Sequence, residues 1–141
     1  MSHLTIELVT PDHSVVHEEV DEVQIPGAQG YLGVLPGHTP LLTTLQVGEL
    51  WFRQGEEKVF VSVAFGFAEI LPDRVIILAQ LAERAEEIDV ARAEAAQARA
   101  RERLNTPTAE VDFERARIAL MKSLIRLQVA SRVRVHPQVA R

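Results

Sequence analysis

Residues 74–104 read RVIILAQLAERAEEIDVARAEAAQARARERL, and within them the chain changes its physics. Val75–Leu78 is a run of β-branched and aliphatic residues, the make-up of a strand. From Val90 to Leu104 every residue after the first valine is a strong helix former. Asp89 stands where a helix N-cap belongs, with Glu86 and Glu87 just upstream. The switch places a boundary near residues 80–88. Composition changes at the same place. Residues 1–85 carry 12 acidic and 4 basic residues, net −8, whereas 86–141 carry 8 acidic and 11 basic, net +3. All seven glycines lie between Gly27 and Gly66. We read 1–85 as one domain and 86–141 as a second.

Upstream of the switch the period is that of strands. Leu4, Ile6 and Leu8 alternate with polar neighbours, as do Val23 and Ile25. Val59, Val61 and Val63 alternate with Phe60, Ser62 and Ala64, a pattern for a strand inside a sandwich or barrel. Breakers recur at short spacing: Pro11-Asp12, Pro26-Gly27, Pro36-Gly37, Gln54-Gly55 and Pro72-Asp73. Hairpins are expected from Leu50–Arg53 into Lys58–Val63, and from Phe67–Leu71 into Val75–Leu78.

Downstream, Asn105-Thr106-Pro107-Thr108 stops one helix and starts another, with Thr108 as a cap. The second helix is expected from about Ala109 to Arg132, ending well before Pro137, with a basic, loosely ordered tail from Arg132 to Arg141. So short a break favours an antiparallel hairpin. The first helix is rich in alanine, which permits close approach and buries little. Such a pair should be weakly stable alone, mobile, and in need of a partner surface. Leu120, Leu124 and Leu127, with Ile118, Met121 and Ile125, give the second helix a broad apolar face.

The whole chain of 141 residues is 47% apolar and 25% charged, ordinary for a globular protein. Its net charge of −5 argues against a generally basic nucleic-acid binder. The absence of cysteine excludes disulfides, thiol catalysis and zinc-thiolate sites. No apolar run reaches the ~20 residues of a membrane span. The N-terminus shows neither a signal peptide nor a transit peptide pattern.

The densest stretch is Gly30-Tyr31-Leu32-Gly33-Val34-Leu35-Pro36-Gly37-His38-Thr39-Pro40-Leu41-Leu42, a short strand entering a rigid turn. It lacks the spacing and lysine of a phosphate loop. His38 could serve as a base, but no nucleophile or acid pattern accompanies it. His3, His13 and His17 are scattered, without a paired ligand motif. No catalytic residue and no metal ligand is assigned.

Gly30 through Leu42 closely resembles the signature turn of the epsilon subunit of F-type (rotary) ATP synthases. The resemblance continues through Phe67-Ala68-Glu69-Ile70, Ile77-Leu78-Ala79 and Ala82–Asp89, in order, and covers essentially the whole chain. Phe65 departs from it, standing where that family usually has a glycine. The resemblance implies an N-terminal ten-stranded β-sandwich followed by a C-terminal antiparallel two-helix hairpin. It implies a non-catalytic rotor subunit, on the cytoplasmic face of the bacterial plasma membrane and peripheral to it. Its partners would be the gamma subunit and the ring of c subunits, met in part by the turn Leu35, Pro36, Gly37 and His38. Extended, the hairpin would inhibit ATP hydrolysis against the beta subunit.

Ile88-Asp89-Val90-Ala91-Arg92-Ala93 resembles the motif that ATP-binding epsilon subunits carry at this junction. An Asp at a helix start can accept from an adenine amino group or cap its own helix. At about 100° per residue, Arg92, Arg99 and Arg103 share one helix face. Arg115, Lys122 and Arg126 share another, with the same separations of seven and four. Facing cationic stripes repel unless an anion lies between them, and arginine forks suit phosphate oxygens. The resemblance implies Glu83, Ile88, Asp89 and Ala93 at the base of ATP, with Arg92, Arg99, Lys122 and Arg126 at its phosphates. Lys122 replaces an expected arginine and loses the bidentate fork. Arg103 and Arg115 are further phosphate or beta-subunit contacts. The resemblance thus implies ATP as a regulatory ligand rather than a required cofactor.

Four other readings stand beside this one. The stripes could be solvated faces, with Arg99 paired to Glu102 and Arg115 to Asp112 or Glu114. They could act only on an acidic segment of the beta subunit, without ATP. The chain could also be an enzyme on a small barrel or an unrelated adaptor, which a turnover assay and a gamma pull-down would reveal.

Overall fold

The computed structural model of the chain describes residues 3–106 and 109–139. They form two compact units that divide between Arg84 and Ala85.

The first unit holds eight strands: β1 (Leu4–Val9), β2 (Ser14–Val20), β3 (Glu22–Gly27), β4 (Gly30–Val34), β5 (Leu41–Leu45), β6 (Gly48–Gln54), β7 (Glu57–Leu71) and β8 (Arg74–Arg84). Their order is β2-β1-β8-β7-β5-β3-β4, with β6 paired to both β3 and β7. Only β1 and β8 run parallel; every other pair is antiparallel. The alternation in the sequence becomes the core. Leu4, Ile6, Leu8, Val23, Ile25, Leu50, Phe52, Val75 and Ile77 are all fully buried. Each such side chain is worth about 1.5–3 kcal/mol relative to exposure.

The expected ten strands are eight. β7 pairs with β6 along Glu57–Val63 and with β5 along Gly66–Ile70, so one 15-residue strand serves both layers of the sandwich. It bends at Phe65 and Gly66, whose φ angles are 61° and 132°. The β7–β8 register is the same on both sides of the bend, Ala64 opposite Leu81 and Gly66 opposite Ala79. The ladder therefore runs through, and neither long strand divides into two. Phe65 adopts the left-handed conformation that a glycine at its place would take freely.

The second unit opens with a single 3-10 turn, Ala85–Glu87, followed by α1 (Val90–Leu104) and α2 (Glu110–Val139). Asp89 caps α1: its Oδ1 accepts from the Arg92 N–H at 3.1 Å. Thr108, expected as the next cap, lies outside the described residues. α2 does not stop near Arg132 but runs to Val139, through most of the tail expected to be loose. No breaker precedes Pro137, whose fixed φ is helical and whose missing N–H removes a single bond near the helix end.

Small side chains are buried at sevenfold spacing on both helices: Ala93 and Ala100 on α1, Ala116, Ser123 and Ala130 on α2. This is the seam of the hairpin. Ser123 is 1% exposed, and its hydroxyl donates to the Leu120 carbonyl at 2.8 Å. The alanines expected to allow close approach do so, and among these seam positions the side chains are small; Val129, next to Ala130, is the larger apolar residue fully buried on α2.

Candidate functional site

The turn after β4 is rigid for identifiable reasons. Gly37 has φ 88°, and its N–H donates to the Pro72 carbonyl at 2.7 Å, bracing this turn against the one between β7 and β8. The His38 N–H donates to the Leu35 carbonyl at 3.2 Å. The His38 Nδ1 lies 2.6 Å from the Thr39 carbonyl, so it carries the ring proton as the donor. That occupies the nitrogen nearest the backbone. Leu35 is 54% exposed, half-buried Pro36 stiffens the turn, and Leu41 and Leu42 continue the apolar surface. Farther along, exposed Phe67 and Leu78 face each other across β7 and β8.

His3 and His17 each sit beside a carboxylate, Glu19 at 3.7 Å and Glu7 at 3.6 Å. Among the described residues no three metal-ligating side chains come together.

The hairpin carries the cationic site. In an antiparallel helix pair, residues one before and three after the seam positions fall on the same side of both helices. Arg92 and Arg99 directly precede Ala93 and Ala100; Arg115 and Lys122 directly precede Ala116 and Ser123. Arg103 and Arg126 follow Ala100 and Ser123 by three. All six cations therefore flank one side of the seam. Arg92, Arg99, Arg103 and Arg115 are exposed, and Lys122 and Arg126 are half-buried. Among the described residues no ion pair joins Arg99 to Glu102 or Arg115 to Glu114. Glu114 instead bonds Arg117 through both oxygens, at 2.8 and 3.0 Å, and this lowers the Glu114 pKa.

The other expected nucleotide contacts are distributed differently. Asp89 is exposed and spends Oδ1 on its helix. Ile88 is 8% exposed and Ala93 fully buried in the seam, so neither offers an open apolar surface. Glu83 lies on β8, in the first unit. Sequence reasoning did not find the small-residue seam, although the seven-residue spacing of Ala116, Ser123 and Ala130 carries it. Nor did it find the brace from Gly37 to Pro72, which no local pattern signals.

Comparison with known proteins agrees with this architecture in both halves. Residues 3–85 match the family described as ATP synthase, Delta/Epsilon chain, beta-sandwich domain. Residues 86–131 match its long alpha-helix domain. The chain is 48% identical over 130 residues to ATP synthase epsilon chain 2 of Syntrophotalea carbinolica, covering 92% of this chain and 94% of that one. It is 44% identical over 140 residues to the ATP synthase epsilon chain of Dehalococcoides mccartyi, covering 99% and 100%. Among solved structures, a chain of the Euglena gracilis mitochondrial ATP synthase, OSCP/F1/c-ring, superposes with a TM-score of 0.76 at 27% identity, covering 86% of this chain and 77% of that one. A chain of the Tetrahymena thermophila mitochondrial ATP synthase central stalk and c-ring shares the fold, with a TM-score of 0.62 at 13% identity over 90% and 96%. With a β-sandwich and a helical hairpin in this order, and relatives that match it nearly end to end, the chain belongs to the epsilon-chain family of F-type ATP synthases.

Proposed function

We propose that the chain is a non-catalytic rotor subunit of the central stalk of a proton-translocating ATP synthase. Its sandwich holds the gamma subunit and the c-subunit ring, coupling rotation to ATP synthesis. Its hairpin restrains ATP hydrolysis, with ATP as the regulatory ligand. Family membership and the likeness to an F1/c-ring chain support the stalk role. The exposed Leu35, Leu41, Leu42, Phe67 and Leu78 support a sandwich that works against partners. No helix of the described residues is long and apolar enough to cross a membrane. Attachment then runs through the complex, at the cytoplasmic face of a bacterial plasma membrane.

The observation that carries the ATP reading is the gathering of Arg92, Arg99, Lys122 and Arg126 on one side of the seam. A triphosphate bridging the two helices relieves their repulsion and draws the hairpin shut. The Asp89 Oδ2 then stays available for the adenine amino group. Calorimetric titration of the whole chain with ATP tests this. Binding in the micromolar-to-millimolar range corresponds to about −8 to −4 kcal/mol. It should weaken at least tenfold in Arg99→Gln and in Asp89→Asn, the second of which keeps the helix cap. Absence of binding by the parent chain at several temperatures refutes the ATP reading.

One observation favours the second reading, a stripe aimed at an acidic segment of the beta subunit. From Arg92 to Arg103 the stripe runs about 16 Å along α1. That outreaches a triphosphate and leaves Arg103 and Arg115 near the loop end for a longer anionic partner.

A further inference from the structure

We propose that Arg84 and Glu18 form a lock that fixes where the sandwich ends and the connector to the helices begins. β8 is a strand of two halves. Its residues Arg74–Leu78 are paired on both sides, to β7 and to β1. The parallel ladder with β1 stops at Val9 opposite Leu78, whereas the antiparallel ladder with β7 continues to Val61 opposite Arg84. The half from Ala79 to Arg84 therefore has strand pairing on one edge only, among the described residues.

The Arg84 side chain makes up for the missing neighbour. Its Nε donates to the Val15 carbonyl at 3.2 Å, and its Nη2 donates to Glu18 Oε2 at 2.7 Å. Both acceptors lie on β2. The other Glu18 oxygen accepts from Gln54 Nε2 at 3.0 Å, and the same nitrogen donates to the Glu19 carbonyl at 2.9 Å. One guanidinium thus ties β8 to β2, and through Glu18 to the end of β6, at the last residue of the sandwich. The pair is 25% and 33% exposed, enough shielding for a charge-assisted bond to matter without the penalty of full burial.

A strand end bound on one edge frays. Without the lock, Leu81–Arg84 would open from β7 more often. In the opened state the connector, now Ala85–Asp89, would start at Leu81 and nearly double in length. The lock thereby sets how much slack the helical unit has, whether or not the hairpin binds ATP. For a partly exposed, charge-assisted tie of this kind we expect a factor of about five to ten in the local opening equilibrium.

Hydrogen exchange on the whole chain tests this, read by mass spectrometry in the parent, Glu18→Gln, Arg84→Lys and the double variant. Exchange at Leu81–Arg84 should quicken about five- to tenfold in Glu18→Gln, with Leu4–Leu8 unchanged. Arg84→Lys keeps the charge but not the two-acceptor fork, and should do the same. The double variant should add little, because either change breaks the same tie. Unchanged exchange at Leu81–Arg84, an equal rise through β1 and β8, or additive effects in the double variant would each overturn the proposal.

Discussion

Replacing Gly66 by alanine should nearly unfold the sandwich, although it adds one methyl group. A Cβ at Gly66 would lie 2.0 Å from the Leu78 carbonyl oxygen, 2.8 Å from the Ala79 Cα and 2.9 Å from the Leu78 carbonyl carbon. All three atoms are backbone of the paired strand, so no side chain can swing aside. The φ of 132° adds a conformation that alanine avoids. That strain costs about 1–3 kcal/mol, and forcing the strands apart costs about 1–3 kcal/mol more. The sum of roughly 2–6 kcal/mol is a large share of the 5–15 kcal/mol typical of a domain. Gly33→Ala is the control, since a Cβ there meets nothing within 4 Å. The chain has a single tryptophan, Trp51 on β6, so its fluorescence in a urea titration reports the sandwich alone. Gly66→Ala within about 1 kcal/mol of Gly33→Ala would refute the close approach of β7 and β8 at the bend.

Further outcomes follow from the hairpin and the bend. Asp89→Ala should cost α1 about 1 kcal/mol, and Asp89→Asn only a few tenths, measured by exchange of the first-turn amides. In the full complex, Arg103→Gln with Arg115→Gln should relax inhibition of hydrolysis while leaving ATP affinity unchanged; a tenfold loss of affinity would make the stripe a single site. The Arg117 hydrogen bond lowers the Glu114 pKa, so this pair stabilises α2 above the unfolded-state pKa and is lost as pH falls through the folded one. An NMR titration should find the Glu114 pKa lowered from the ordinary glutamate value, and Arg117→Gln should raise it. Phe65→Gly should leave sandwich stability within about 1 kcal/mol, because relief of the left-handed strain offsets the lost ring contact.

What was legible in the sequence was local. The alternation of Leu4, Ile6 and Leu8 announced a buried strand face, and Asp89 announced a cap; both depend on neighbours a few residues away. The strand count was not legible, because the bend at Phe65–Gly66 turns β7 without interrupting its ladder, which only the register with β8 reveals. The end of α2 was misjudged by treating Pro137 as a stop at a distance. The cationic residues of the hairpin were found from spacing alone, since helical period sets the face. Which side of the hairpin they share depended on the seam, and so on Ser123 and the alanines, whose smallness had been read on one helix only. Arg84 with Glu18, 66 residues apart, left no trace in any window.

The alanine and serine seam also shapes how the hairpin responds to conditions. Denaturant sensitivity and heat capacity both track the apolar area exposed on opening. Parting α1 from α2 along Ala93, Ala100, Ala116 and Ser123 exposes little of it. The opening equilibrium should therefore be shallow in urea and carry little heat-capacity change, while the sandwich melts steeply. A helix pair built this way has little apolar burial to hold it shut, and leaves the balance to whatever anion or partner it meets.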